Sequence, residues 1–103
     1  MSDELVLTES EGTISVPAAT LSQIVARAVS RVDGASVRRP RRSVDVDVTG
    51  SSATVSLRLV ARYGVVLPEL AEGVQREVAT ALGQMCGLEA STVDVAIEEL
   101  AES

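Results

Sequence analysis

The sequence predicts an α+β domain in which two helices cover one face of a mostly antiparallel sheet of three or four strands. Three observations carry this prediction. Two segments repeat apolar residues at steps of three and four, several short segments alternate apolar and polar residues, and a Gly-Ser turn separates two of the alternating segments. Taken in order, the elements read β-α-β-β-α-β. A two-layer sandwich, with the other face of the sheet in water, is the arrangement that buries every apolar stripe.

Length and composition favour a single small, soluble domain. The chain has 103 residues, enough for one modest core, and Tyr63 is its only aromatic residue. Its formal net charge of −6 at pH 7 argues against a broad contact with nucleic-acid phosphates. No apolar run approaches the ~20 residues that a membrane-spanning helix needs. The single cysteine, Cys86, cannot form an internal disulfide and is typical of a cytoplasmic protein.

Residues 1–11 differ in character from the rest of the chain. They are mostly acidic and polar, with one short apolar patch, and they predict a flexible N-terminal tail. An edge strand, or a segment that docks on a neighbour, is the alternative. Residues 12–103 are expected to form a single domain, since no linker or low-complexity tract interrupts them.

The first half of this domain begins with a short strand and a helix. Ile14 and Val16 lie on one side of an alternating segment that Pro17 ends. The next segment, from about residue 18 to residue 32, has an apolar stripe at helical spacing, and Gly34 is the expected left-handed residue after it. If the short strand joins the sheet centrally, the topology is ferredoxin-like. If it does not, a three-stranded sheet remains, and the sequence leaves both open.

A β-hairpin follows around the turn at residues 49–52. Apolar and polar residues alternate on both sides of this turn. A two-residue turn would place Val46 opposite Val55 and Val44 opposite Leu57. All apolar side chains of the hairpin would then share one face, which a one-residue slip would prevent.

The last part of the chain predicts a strand-helix-strand unit. Pro68 suits the first turn of the helix, and Gly87 suits a left-handed position just after its end. The helix carries an apolar stripe at Leu67, Leu70, Ala71, Val74, Val78, Leu82 and Met85. A final strand is predicted where Val93, Val95 and Ile97 alternate with polar residues.

The charged residues of the open sheet face are expected to be solvated. Asp45 would lie diagonal to Arg58, within reach of an exposed ion pair worth at most ~1 kcal/mol. Asp47, Asp94 and Glu98 alternate with apolar residues as the wet side of a strand does. A site for acid–base catalysis or for a hard cation is the alternative, but no glycine-bearing ligand loop accompanies these carboxylates.

The sequence offers no set of catalytic, cofactor-binding or metal-ligating residues. It contains no histidine, which excludes a histidine-based triad and an ordinary zinc site. Neither glycine-rich phosphate motif, G-x-G-x-x-G or G-x-x-x-x-G-K, is present. Cys86 lies at a helix C-terminus, where the helix dipole disfavours a thiolate, so we expect a small buried apolar residue there. These features predict a protein that is not an enzyme.

One short segment concentrates the positive charge. Arg38, Arg39, Arg41 and Arg42 flank Pro40 in what is predicted to be a compact basic loop without a helix through it. Such a loop can contact anionic lipid headgroups, an acidic partner or a nucleic-acid backbone, or it can simply be solvated. A KH-like nucleic-acid-binding module is the alternative function, although the G-x-x-G loop of that fold is absent.

An ordered set of residues resembles a known family. In the first half it comprises Gly12-x-Ile14-x-Val16, Leu21-x-x-Ile24-Val25-Ala26-x-Ala28 and Val32-x-Gly34-Ala35. In the second half it comprises Tyr63-Gly64, Leu67-x-x-Leu70-Ala71-x-x-Val74-Gln75-x-x-Val78, Met85-Cys86-Gly87-Leu88 and Val93-Asp94-Val95-x-Ile97. Over about residues 12–99 this set resembles the alkaline shock protein family, also called the envelope stress response family. Cys86, where many members have a small hydroxyl residue, and the arginine-rich loop depart from the family pattern.

The resemblance implies a small, non-enzymatic cytoplasmic protein. Members of the family self-associate, so a homo-oligomer is expected. Some of them associate with the cytoplasmic face of the membrane through a membrane-anchored partner. The implied function is in cell-envelope homeostasis and in alkaline or general stress, and the resemblance supplies no catalytic or ligand-binding residues.

Overall fold

The computed structural model describes the backbone of residues 4–9 and 12–102 and the side chains of residues 17–102. The described elements form an α+β chain, as predicted. In order they are β1 (Glu4–Glu9), β2 (Gly12–Pro17), α1 (Ala18–Ser30), β3 (Ala35–Ser36), α2 (Pro40–Ser43), β4 (Val44–Thr49), β5 (Ser52–Arg62), α3 (Leu67–Cys86) and β6 (Glu89–Ala101).

Strand β5 is the centre of the main sheet. Strands β3 and β4 pair with it antiparallel, and β6 pairs with it parallel along its whole length. Two of the three pairings are therefore antiparallel, in line with the mostly antiparallel sheet that was predicted, and the pairing of β5 with β6 is parallel. The cause is α3, which returns the chain to the starting end of β5, so that the next strand must run in the same direction.

The predicted hairpin register is confirmed. Val46 pairs with Val55 and Val44 pairs with Leu57, and a two-residue turn follows the pair Thr49 and Ser52. The alternation of apolar residues therefore fixed the register as expected, since a slip would have turned the apolar side chains of β4 toward water.

The N-terminal strands form a separate two-stranded sheet. Strand β2 confirms the predicted first strand, but it pairs antiparallel with β1 and not with the main sheet. The described strands thus do not form the ferredoxin-like arrangement. Of the predicted tail over residues 1–11, residues 4–9 form β1, the edge-strand alternative, and residues 1–3, 10 and 11 lie outside the described part of the chain.

The core lies between one face of β5 and the apolar stripes of α1 and α3. Leu21 and Val25 of α1 and Val74 and Val78 of α3 are at most 3% exposed, and Ile24 packs against the same cluster. The core contains these residues together with Ala28, Val29, Ala35, Val44, Ala53, Val55, Leu57, Leu59, Ala61, Leu70, Ala81, Leu82, Cys86 and Leu88. The predicted burial of Cys86 is confirmed. Burial also raises the pKa of the Cys86 thiol, because an apolar environment disfavours the thiolate.

The two glycines predicted to be left-handed after the long helices both have a positive φ, but two details of the helices differ from the prediction. Gly87 follows α3 in the left-handed region, with φ of 66°, and Gly34 has φ of 89°. Helix α1 ends at Ser30, earlier than predicted, so Gly34 lies in the turn that leads into β3. Met85 was predicted to belong to the buried stripe of α3, but it is 65% exposed. At that last turn Cys86, four residues after Leu82, takes the buried position.

Candidate functional site

Four arginines meet in an open cleft where the segment before β4 comes against β5 and β6. The cleft has a volume of about 590 Å³. Its lining residues are Arg38, Arg39, Arg42, Ser43, Arg58, Glu98 and Glu99. We call this feature the arginine cleft. Each of its three parts has a separate structural cause.

The first part of the arginine cleft is the short helix α2. The sequence predicted a loop here because proline does not fit inside a helix, but Pro40 begins the helix instead, where its fixed φ is favourable. The backbone N–H groups of Arg42 and Ser43 both donate to the carbonyl oxygen of Arg39, at 3.0 and 2.8 Å. Residues three apart lie on the same side of a helix, so Arg39 and Arg42 both face the cleft. Arg41 does not line it.

The second part is Arg58, on the exposed face of β5. Its Nη2 atom donates a hydrogen bond to the carbonyl oxygen of Arg42. The predicted ion pair between Arg58 and Asp45 is wrong: residues 17–102 show no such pair, and Asp45 lies directly opposite Ser56. Arg58 instead extends toward α2, so that it both supports the short helix and adds a guanidinium group to the cleft.

The third part is the end of β6, where the pairing with β5 shifts by one residue. Ile97 pairs with Leu59, but the next pair joins Glu99 to Val60, so Glu98 is the extra residue of a β-bulge. Without the bulge, consecutive residues would point to opposite faces of the sheet. With it, both carboxylates line the arginine cleft, and Arg38 pairs with Glu99 at 2.6 Å. Because both side chains are substantially exposed, this pair contributes little to stability.

The lining residues give the arginine cleft a net positive charge in a chain whose formal net charge is −6. Guanidinium groups keep their charge at any physiological pH and cannot serve as acids or bases there. Their planar forks bind the oxygens of carboxylates and phosphates through paired hydrogen bonds. The arrangement is therefore suited to binding an anion.

The structure brings together three of the four predicted arginines, Arg38, Arg39 and Arg42, and leaves Arg41 outside. Sequence reasoning did not include Arg58, Glu98 or Glu99 in this site. A signal for the two glutamates exists: apolar and polar residues alternate up to Ile97, and the two consecutive acids then break the period of two, as a bulge does. For Arg58 the only signal is its place on the polar side of β5.

Two features of the described residues bear on other functional classes. No group of three or more histidine, cysteine, aspartate or glutamate side chains that could hold a metal ion occurs among them. Within the same ranges, every helix is too short or too polar to cross a membrane. The four acidic residues of the open sheet face, Asp45, Asp47, Asp94 and Glu98, are exposed.

Comparison with known families identifies a family match. The family model of alkaline shock protein 23, described as a family with a cell envelope-related function, matches residues 35–101. This range contains β3, α2, β4, β5, α3 and β6, and with them every residue of the arginine cleft. No curated protein matches the chain.

Comparison with solved structures finds the same fold in the MamM CTD. A histidine-to-glutamate variant of that domain has a TM-score of 0.59 at 16% identity, covering 79% of this chain and 93% of that one. The copper form of an aspartate-to-histidine variant has a TM-score of 0.58 at 16% identity, covering 79% of this chain and 95% of that one. A histidine-to-alanine variant has a TM-score of 0.58 at 16% identity with the same coverage. At this identity the likeness concerns the fold alone.

Proposed function

Because this chain belongs to the family of alkaline shock protein 23, a family with a cell envelope-related function, we propose that it is a non-enzymatic interaction module that self-associates and contacts an anionic surface through the arginine cleft. In this proposal the module serves envelope homeostasis under stress. A membrane-anchored partner recruits it to the cytoplasmic face of the membrane.

The observation that carries the proposal is the separation of charge. Four of the nine basic residues lie in the arginine cleft, while the chain as a whole is acidic. A localised positive region on an acidic protein orients it toward a negative surface and turns its other faces away. Such a region favours binding to a negatively charged surface in one orientation over nonspecific binding in many orientations.

Self-association is supported by the free edge of β6. This strand has 13 residues, and among the described strands it pairs only with β5. Such an edge offers backbone N–H and C=O groups to another strand, although the carbonyl oxygen of Val93 already accepts a hydrogen bond from Nε2 of Gln75, at 2.9 Å. Leu100, near the end of this strand, is a large apolar residue that is 50% exposed.

The sequence of β6 suits antiparallel pairing with a second copy of itself. If Val95 lies opposite its own counterpart, Val93 comes opposite Ile97 and Asp94 comes opposite Ala96. No acidic residue then faces another within the regular part of the strand, and the apolar side chains of both copies share one face. Like charges placed directly opposite would be destabilising, and this register avoids them.

The test is the solution mass measured by light scattering over a range of concentrations. The parent chain is expected to be larger than a monomer. Ala96→Asp is expected to shift the protein toward monomer, because it places two carboxylates opposite each other across the proposed interface. Gln84→Glu on the exposed side of α3 adds the same charge elsewhere and is expected to leave the mass unchanged.

Two results would contradict this proposal. A parent chain that stays monomeric at every concentration removes self-association. Equal loss of assembly in Ala96→Asp and Gln84→Glu would show that net charge, and not the β6 edge, controls it. Circular dichroism melts of both variants establish that each one is folded.

A further inference from the structure

We propose that the arginine cleft binds a phosphate group with at least two negative charges, and that Glu99 competes with this ligand for Arg38. This inference rests on the proposed contact between the cleft and an anionic surface, and it goes further by naming the chemical group. The ligand class is a phosphomonoester or a pyrophosphate, borne either by a lipid headgroup or by a soluble compound.

The number and origin of the arginines favour phosphate over carboxylate. Arg38 precedes α2, Arg39 is the N-cap residue of α2, and Arg42 lies within it. Arg58 belongs to β5, so the guanidinium groups approach the cleft from different directions. A carboxylate has two oxygens in one plane and is saturated by one or two guanidinium forks. A phosphate monoester presents three acceptor oxygens around a tetrahedral centre, which matches donors on several sides. The volume of about 590 Å³ also leaves room for the group that carries the phosphate.

The two glutamates set the charge that the ligand must have. Four guanidinium groups and two carboxylates leave a balance of two positive charges at the cleft. A singly charged anion would leave one of these positive charges uncompensated, whereas a doubly charged anion neutralises both. Glu99 holds Arg38 at 2.6 Å, so an incoming phosphate must replace that ion pair to use all four arginines. The bulge at Glu98 is what places Glu99 on this face.

The first experiment is calorimetric titration of the full chain with inorganic pyrophosphate at physiological salt. Arg42→Gln is expected to weaken binding by about tenfold or more, because it removes charge-assisted hydrogen bonds to the ligand. Arg41→Gln removes the same charge from the same helix but outside the cleft, and it is expected to change the affinity by less than about twofold. If Arg42→Gln fails to fold, as judged by circular dichroism, Arg39→Gln takes its place.

The second experiment tests the competitor. Glu99→Gln is expected to tighten pyrophosphate binding, since it frees Arg38. Glu89→Gln, at the opposite end of β6, makes the same change in net charge at a distance and is the matched control. A larger gain for Glu99→Gln than for Glu89→Gln supports the competition, and equal gains overturn it.

The third experiment distinguishes the two sources of the phosphate. Phosphatidylcholine vesicles containing phosphatidic acid present a phosphomonoester, and vesicles of equal surface charge containing phosphatidylglycerol present a singly charged phosphodiester. Displacement of pyrophosphate by the phosphatidic acid vesicles alone supports a lipid headgroup. Pyrophosphate binding that neither vesicle displaces supports a soluble phosphorylated compound.

Besides equal gains in Glu99→Gln and Glu89→Gln, three outcomes would overturn the inference. They are a parent chain that does not bind pyrophosphate, equal losses in Arg41→Gln and Arg42→Gln, and equal displacement by both kinds of vesicle. None of them bears on the light-scattering test, because the arginine variants leave the β6 edge intact. Conversely, a monomeric parent chain that binds pyrophosphate through Arg42 would remove the proposed self-association and retain this site.

Discussion

The two faces of β5 differ in how far their side chains are exposed to water. On one face every side chain, from Ala53 through Val55, Leu57 and Leu59 to Ala61, is at most 2% exposed. On the other face Thr54, Ser56 and Arg58 are exposed, although each is only one residue from a buried neighbour, and Val60, nearer the end of the strand, is buried. The buried face therefore determines whether the chain folds. The exposed face is free to carry charge, and it supplies Arg58 to the arginine cleft at little cost to stability.

The strongest test of this comparison is Val55→Asp. Val55 is fully buried, so the substitution would place an unpaired charge in the core and is expected to unfold the domain or to lower its stability by about 3 kcal/mol or more. Val46→Asp, at a half-buried position on β4, is expected to cost less. Ser56→Asn, on the exposed face, is expected to change stability by less than about 0.5 kcal/mol. Urea denaturation followed by circular dichroism ranks the three, and an equal cost for Val55→Asp and Ser56→Asn would remove the distinction between the faces.

The buried face is also the part of the molecule that the sequence predicts well. Val44, Val46, Val55 and Leu57 alternate with polar residues on both sides of a short turn, and only one register turns all four toward the core. The helical stripes around Leu21 and Val74 are equally local signals. Each of these features depends on residues close together in the sequence, so pattern and turn geometry determine them.

The exposed face and the cleft are harder to predict because they depend on contacts between distant parts of the chain. Arg38 and Glu99 are far apart in sequence, and their pairing requires the parallel placement of β6 and the bulge at Glu98. The sequence around Pro40 is compatible with a loop or with the start of a helix. The hydrogen bond from Arg58 to the carbonyl oxygen of Arg42, which supports the helix, forms only when β5 lies beside it in the folded chain. Local patterns therefore identified the arginines as a group without indicating which of them converge.

A smaller effect is expected at Ser56, which lies between two carboxylates. Ser56 pairs with Asp45 on β4 and with Asp94 on β6. Ser56→Lys is expected to raise the free energy of unfolding by up to about 1 kcal/mol, because it places one positive charge between two negative ones. Ser56→Gln adds length without charge and is the control. If the increase in the free energy of unfolding persists unchanged at high salt, or if Ser56→Gln produces the same increase, the exposed face responds to packing and not to charge.

The smallest effect is expected where β5 ends, at the ion pair between Arg62 and Asp33. The two terminal guanidinium nitrogens of Arg62, Nη1 and Nη2, donate to this carboxylate, at 3.1 and 2.9 Å. The hydrogen bonds from Arg62, and then its charge, hold the pKa of Asp33 below its usual range. A lowered folded-state pKa stabilises the fold above the usual pKa of an aspartate, and this contribution is lost as the pH falls through the lowered value.

Asp33→Asn should therefore reduce stability slightly at neutral pH and make no difference once the parent carboxylate is protonated. Because the Asp33 side chain is 86% exposed, water screens the pair and the difference is expected to be near the limit of detection. Urea denaturation of both chains from neutral pH to about pH 2 measures it, with Asp47→Asn on the open face as the matched exposed carboxylate. A larger loss of unfolding free energy at neutral pH in Asp33→Asn than in Val46→Asp would mean that exposed ion pairs, and not the buried side of β5, govern the stability of this domain.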